Sequence, residues 1–157
     1  MIYLLSLTLI ILSLYDFKYK AVPDYLLLIS LLLVFFVPGR ALDEQLKDAL
    51  LFAGAFTLLN FILTFYIQNI KSRIYKDDSL KQMEALGEGD IPIIAVIGAL
   101  LGISSGVVAI FITGVAALIF IVITKNKDGI PFIPFLSLGM FIEYFLNVST
   151  YLNIILI

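Results

Sequence analysis

Three acidic side chains fall where an apolar chain has little ordinary use for charge. Asp16 closes the first apolar run in Leu14-Tyr15-Asp16-Phe17-Lys18, Asp90 opens a later one in Gly87-Glu88-Gly89-Asp90-Ile91, and Glu143 lies inside the last. An acid at the centre of a membrane helix costs about 2.5–3.5 kcal/mol on insertion scales, so each needs a reason. Two carboxylates about 3 Å apart cannot both ionise, and so they share a proton. The ionised partner can accept a proton from water while the other donates to a carbonyl oxygen, which is peptide hydrolysis without a covalent intermediate. The chain has no cysteine and no histidine. Thiolate nucleophiles, Ser-His and Cys-His pairs, disulfides and zinc sites built on His or Cys are thereby excluded, and acid–base work falls to Asp, Glu, Lys or Tyr. Taken singly, Asp16 reads as a solvated span end and Asp90 as an acid favoured by the positive end of a helix dipole. Both together beside flexible glycines make the sharper pattern.

The elements that must position these residues follow from composition. Of 157 residues, 62% are hydrophobic and 14% charged, with a mean hydropathy of +1.11. Soluble domains are about half apolar and a quarter charged, so the fold class expected is an all-α membrane protein. Continuous apolar runs, without period-two alternation, argue against a barrel. Hydropathy divides the chain into a polytopic bundle of about six transmembrane helices, near 1–15, 24–38, 48–69, 91–103, 106–124 and 133–156. They form a single integral-membrane domain over 1–157. The N-terminus lacks a basic n-region and a small-residue cleavage site, so it reads as a first span rather than a removable signal.

Orientation follows from lysine and arginine. Lys18 and Lys20, then Lys71, Arg73, Lys76 and Lys81, then Lys125 and Lys127 occupy three loops on one side, eight of the ten basic residues. Positive loops stay cytoplasmic, so both termini are expected on the non-cytoplasmic side of the cell membrane. Two spans separate Asp16 from Asp90, and the even number of crossings returns both to the cytoplasmic side. A net charge of −2 with mixed signs carries no nucleic-acid footprint.

The glycines suit such a site. The stretch 78–86 has Leu80, Met83 and Leu86 on one helical stripe, which predicts a short interfacial helix. Gly87 is then expected to end it in a left-handed conformation, and Gly89, lacking a Cβ, to let an extended substrate backbone lie beside Asp90. A plain polar turn is the competing reading. Gly98, Gly102 and Gly106 predict close helix packing and a turn near 104–105, with no chemistry assigned.

These residues carry a resemblance. Tyr15-Asp16-Phe17-Lys18-Tyr19-Lys20-Ala21-Val22-Pro23, Glu84-Ala85-Leu86-Gly87-Glu88-Gly89-Asp90 and Ile130-Pro131-Phe132-Ile133-Pro134 resemble, in order and spacing, the Gly-x-Gly-Asp intramembrane aspartyl proteases. Within them the match is to the type IV prepilin peptidase and preflagellin peptidase family. The resemblance implies that Asp16 and Asp90 are the catalytic dyad and that Gly87 and Gly89 shape the active-site loop. It places Pro131 and Pro134 near the substrate groove, although proline in the first turn of a helix explains them equally. It suggests that Lys18 and Glu84 help bind a charged leader, with ordinary surface charge as the alternative. The implied activity is removal of the leader from prepilin-like or preflagellin-like precursors at the cytoplasmic membrane boundary, with the lipid bilayer as the other partner and no metal or organic cofactor. Two departures stand out. Pro92 occupies a position where the family often has lysine, and the paired-cysteine segment associated with N-methylation in bacterial members has no counterpart, so no methyltransferase activity is expected.

A reading from another class is a small proton- or ion-coupled transporter using Glu143, with Asn60 and Asn147 also at membrane depth. The absence of an inverted repeat or of paired broken helices weighs against it. That Glu143 is simply protonated, or hydrogen-bonded to a neighbouring span, is the plainer account.

Overall fold

Long apolar runs with few breakers fold as helices, and the punctuation between them sets the ends. The computed structural model describes residues 1–75, 78–82, 85–87, 89–124 and 130–155. Helix α1 (Ile2–Tyr19) runs about a turn past its expected end and stops at Lys20, whose left-handed φ of 51° lets its N–H bond the Asp16 carbonyl. Asp16 therefore lies within the last turn of a helix rather than in the loop after it. Pro23 caps α2 (Asp24–Val34), which ends before the expected 38 because the residue preceding Pro38 disfavours helix. Helix α3 (Leu42–Phe65) starts earlier than hydropathy suggested. Asp43 and Glu44 occupy its first turn, where the helix dipole favours acids that a hydropathy window counts against a span. It continues through a π-helical stretch, Tyr66–Lys71, into the single turn α4 (Ser72–Tyr75).

The helix expected over 78–86 is a 3-10 turn at Asp78–Gln82, and residues 85 and 86 are not helical. Met83 lies outside the described residues.

Helix α5 (Asp90–Thr124) contains both the fourth and fifth expected spans, broken at Gly102. Its φ of 80° and ψ of −176° lie in a region open essentially to glycine alone. The turn thus falls at Gly102 rather than at 104–105. A methyl on Gly98 or on Gly106 would meet the same Phe52 ring, at 2.8 and 2.7 Å. Eight residues of straight helix advance about 12 Å, far more than one ring spans, so the chain folds back sharply between them. The three glycines pack and turn, as their spacing predicted. The break leaves carbonyls of the first arm without helical partners, and Arg40 supplies them. Its guanidinium donates to the carbonyls of Gly98 (3.3 Å) and Ala99 (3.1 Å) and to Asp48 Oδ2 (2.5 Å).

The first arm of α5 is the centre of the bundle: every residue from Ile93 to Leu100 is buried. It packs against α2, α3 and α6 (Ile133–Leu146), and α1 lies against α2 and α6. The second arm meets α6 where Gly139 comes up to Thr113 and the Ala109 carbonyl, an approach a Cβ would block. The expected sixth span, 133–156, is interrupted. Asn147 adopts φ 48° and separates α6 from α7 (Val148–Ile155).

Many large apolar side chains remain exposed, among them Leu58, Phe61, Ile62, Phe111, Val122 and Ile123. Lipid, not water, is the solvent for such a surface. Three helical stretches are long and apolar enough to cross a membrane, Ile2–Tyr19, Leu42–Ile74 and Asp90–Thr124. Two shorter apolar helices, Asp24–Val34 and Ile133–Leu146, complete the all-α bundle.

Candidate active site

One end of the bundle gathers the C-terminal turn of α1, the α1–α2 loop and the N-termini of α2, α5 and α6. Asp16 comes from the first and Asp90 begins α5. Both are nearly buried, at 8% and 7% exposure, although they are acids at the end of an apolar bundle. They line one cavity of about 850 Å³ with Lys20, Asp24, Tyr25 and Pro92.

Each acid accepts a backbone N–H from outside its own helix. Asp16 Oδ2 accepts the N–H of Ile133 at 3.0 Å, one of the first-turn N–H groups of α6 that have no partner inside the helix. Asp90 Oδ2 accepts the N–H of Gly87 at 3.2 Å, and the Asp90 N–H returns to the Gly87 carbonyl at 3.1 Å. An acid reaching back three residues to an N–H is the geometry of a capping box.

The glycines act differently from expectation. Gly87 is not left-handed, and a Cβ there would stand 3.3 Å from Asp90 Oδ2. Gly89 lines the cavity and is also closely packed on its other side. A Cβ on it would come within 2.7 Å of Val22 Cγ2 in the α1–α2 loop, with Leu27 and Ile133 just beyond. Gly89 is thus where the α1–α2 loop and the segment before α5 touch.

Of the other residues singled out, Lys18 does not line the cavity, and its ammonium lies 4.8 Å from the Tyr19 ring centre. Lys20, two residues on, lines it instead. Pro131 is buried beside Ile130, Phe132 and Ile133, which do form part of the wall. Pro134 lies in the first turn of α6 and lines a separate apolar groove with Phe17 and Phe141. Glu84 lies outside the described residues. Glu143 is far from this end, 1% exposed, and its two carboxylate oxygens lie 3.3 and 3.2 Å from the Ser149 N–H. It caps α7, a partner within its own expected span rather than in a neighbouring one.

Two polar residues of α3 were not assigned to the site from sequence. Asn60 Oδ1 accepts the N–H of Leu86, and Thr64 Oγ1 accepts that of Ala85, each at 3.0 Å. Their spacing of four, in an otherwise apolar run from Leu58 to Phe65, was the available signal.

No curated protein and no solved structure matches the chain. Residues 3–122 match the model of the type IV leader peptidase family. That stretch holds Asp16, Gly87, Gly89 and Asp90 and stops short of Pro131 and Pro134. Family and multiple long apolar helices make this a multi-pass protein of the cytoplasmic membrane and an aspartic-type endopeptidase acting on prepilin-like or preflagellin-like precursors. The chain belongs to the type IV leader peptidase family.

Proposed function

We propose that Asp16 and Asp90 are the acid–base dyad of this peptidase and that the cavity between them receives the scissile peptide of the leader. The observation that carries the reading is their shared cavity: two nearly buried carboxylates, from helices far apart in sequence, on one wall-to-wall space at one end of the bundle. With one proton shared between them, the ionised acid takes a proton from water as its oxygen bonds to the scissile carbonyl carbon. The protonated acid gives its proton to the carbonyl oxygen. Collapse of the tetrahedral intermediate breaks the C–N bond as the first acid gives its proton to the leaving nitrogen and the second takes the proton of one diol hydroxyl, which restores the starting dyad with one proton. The hydrogen bonds from Ile133 and Gly87 hold the two carboxylates in place through this cycle.

In this reading the chain crosses the membrane six times, with the Asp16–Asp90 end cytoplasmic and both termini on the other side. The arm from Asp90 to Leu101 is about 18 Å long, against about 30 Å of hydrocarbon. Asp90 then lies below the headgroups, and the cavity is its route to water. Lys20, Asp24 and Tyr25 would face the leader, and Gly87 and Gly89 would shape the loop. Lys18, Glu84, Pro131 and Pro134 have weaker claims. The transporter reading loses its main support, since Glu143 caps α7.

Two measurements test this. A prepilin-like precursor incubated with membranes should be cut by the wild type and not by Asp16→Asn or Asp90→Asn inserted at equal levels. Because the chain has no native cysteine, single cysteines at Lys20 and Gly39 can be labelled without background. Labelling of Lys20→Cys only from the cytoplasm and Gly39→Cys only from outside is expected, and the reverse pattern would sink the orientation.

A further inference from the structure

Helix α3 is the outermost long helix, and from Thr57 to Tyr66 only Asn60 and Thr64 are not exposed. They stand one helical turn apart on the inner face. The Thr64 hydroxyl lies 3.2 Å from Asn60 Oδ1, so the two form one polar unit. That unit accepts the N–H groups of Ala85 and Leu86, and the next N–H, of Gly87, goes to Asp90 Oδ2. Three consecutive backbone donors are therefore held by Thr64, Asn60 and Asp90 in turn.

Such an arrangement has a physical cause and a mechanical effect. Residues 85–87 are non-helical, so their N–H groups lack helical partners, and an unsatisfied N–H beside hydrocarbon costs several kcal/mol. Two polar side chains on a lipid-facing helix are costly in turn unless they meet such donors. Meeting, they tie down the two N–H groups directly before the Gly87 N–H that bonds Asp90.

We infer that Asn60 and Thr64 are positioning residues for the Asp90 loop, a polar latch by which α3 sets the aim of one carboxylate of the dyad. The inference rests on the proposed dyad. Both side chains act as acceptors toward the loop, so chemistry predicts which substitutions keep the latch. Asn60→Asp and Thr64→Ser retain the acceptor oxygen. Asn60→Leu and Thr64→Val remove it at similar size.

The test is leader cleavage kinetics by the full chain in membranes, at matched insertion, alongside Asp90→Asn. Asn60→Leu and Thr64→Val are each expected to lower kcat about 5- to 20-fold, the scale of one or two lost hydrogen bonds at an oriented group. KM for the precursor should stay within about twofold, because the latch touches no substrate. Asn60→Asp and Thr64→Ser should cut within about threefold of wild type. Unchanged kcat in both Asn60→Leu and Thr64→Val overturns the latch while leaving the dyad intact, provided Asp90→Asn is inactive. Equal loss in the conservative and the apolar variants overturns it too, since that marks a general packing role. If Asp90→Asn cuts normally, the dyad itself is wrong and the latch falls with it.

Discussion

Gly89→Ala is the substitution whose consequence the structure specifies best. The added methyl would stand 2.7 Å from Val22 Cγ2, whereas carbon atoms rest about 3.5–4.0 Å apart. Valine is stiff at χ1, so the γ-methyl cannot swing clear, and one loop must retreat from the other by about 1 Å. Overpacking of this kind costs about 1–3 kcal/mol. Its larger effect is on geometry, because Gly89 adjoins Asp90 and a shift of about 1 Å at a reacting group costs up to about 100-fold in rate. The expected result is a fall in kcat of about 10- to 100-fold for cleavage of a prepilin-like precursor in membranes. Val22→Ala removes both γ-methyls. The double variant should recover to within about threefold of Val22→Ala alone, as expected when two substitutions share a single contact. If Gly89 instead leaves room for substrate backbone, relief at Val22 changes nothing and the double variant stays as slow as Gly89→Ala. That outcome, or full activity of Gly89→Ala by itself, refutes the contact argument.

Other substitutions separate structure from chemistry. Glu143→Gln keeps an acceptor for the Ser149 N–H and should cleave at the wild-type rate, whereas a role for Glu143 in the reaction or in proton relay predicts loss. Arg40→Met leaves the Asp48 carboxylate buried without its partner. Thermal unfolding in detergent should show a loss near the low end of the about 3–5 kcal/mol typical of a broken buried pair, since Arg40 is partly exposed. Arg40→Met combined with Asp48→Leu should recover part of it, and no recovery would mean that the Gly98 and Ala99 carbonyls, not Asp48, set the cost. Gly102→Ala demands a backbone conformation costing about 1–3 kcal/mol for any residue with a Cβ, and an unchanged unfolding midpoint would argue against the sharp turn.

The one-ended placement of Asp16 and Asp90 was legible because it needs only the number of crossings between them, which hydropathy supplies. The helical hairpin was legible from Gly98, Gly102 and Gly106, since glycine at helical spacing has few uses in an apolar run. Contacts between distant segments were not. Nothing local to Gly89 reveals that Val22 fills the space beside it, and nothing local to Asn60 reveals a loop in need of acceptors. The break at Asn147 escaped for another reason. Hydropathy reads composition, and one left-handed asparagine in an apolar stretch changes direction without changing the average. Gly87 failed as a left-handed cap because the helix it was meant to end stops earlier, leaving the glycine free to serve Asp90.

The central claim is that Asp16 and Asp90 work as one unit. Single-turnover cleavage of a prepilin-like precursor by wild type, Asp16→Asn, Asp90→Asn and the double variant tests this most directly. A shared-proton dyad predicts that either single substitution lowers the rate as far as both together, because half a dyad has no partner to complete the transfer. Substantial activity in either single variant, or losses that multiply in the double variant, would contradict it.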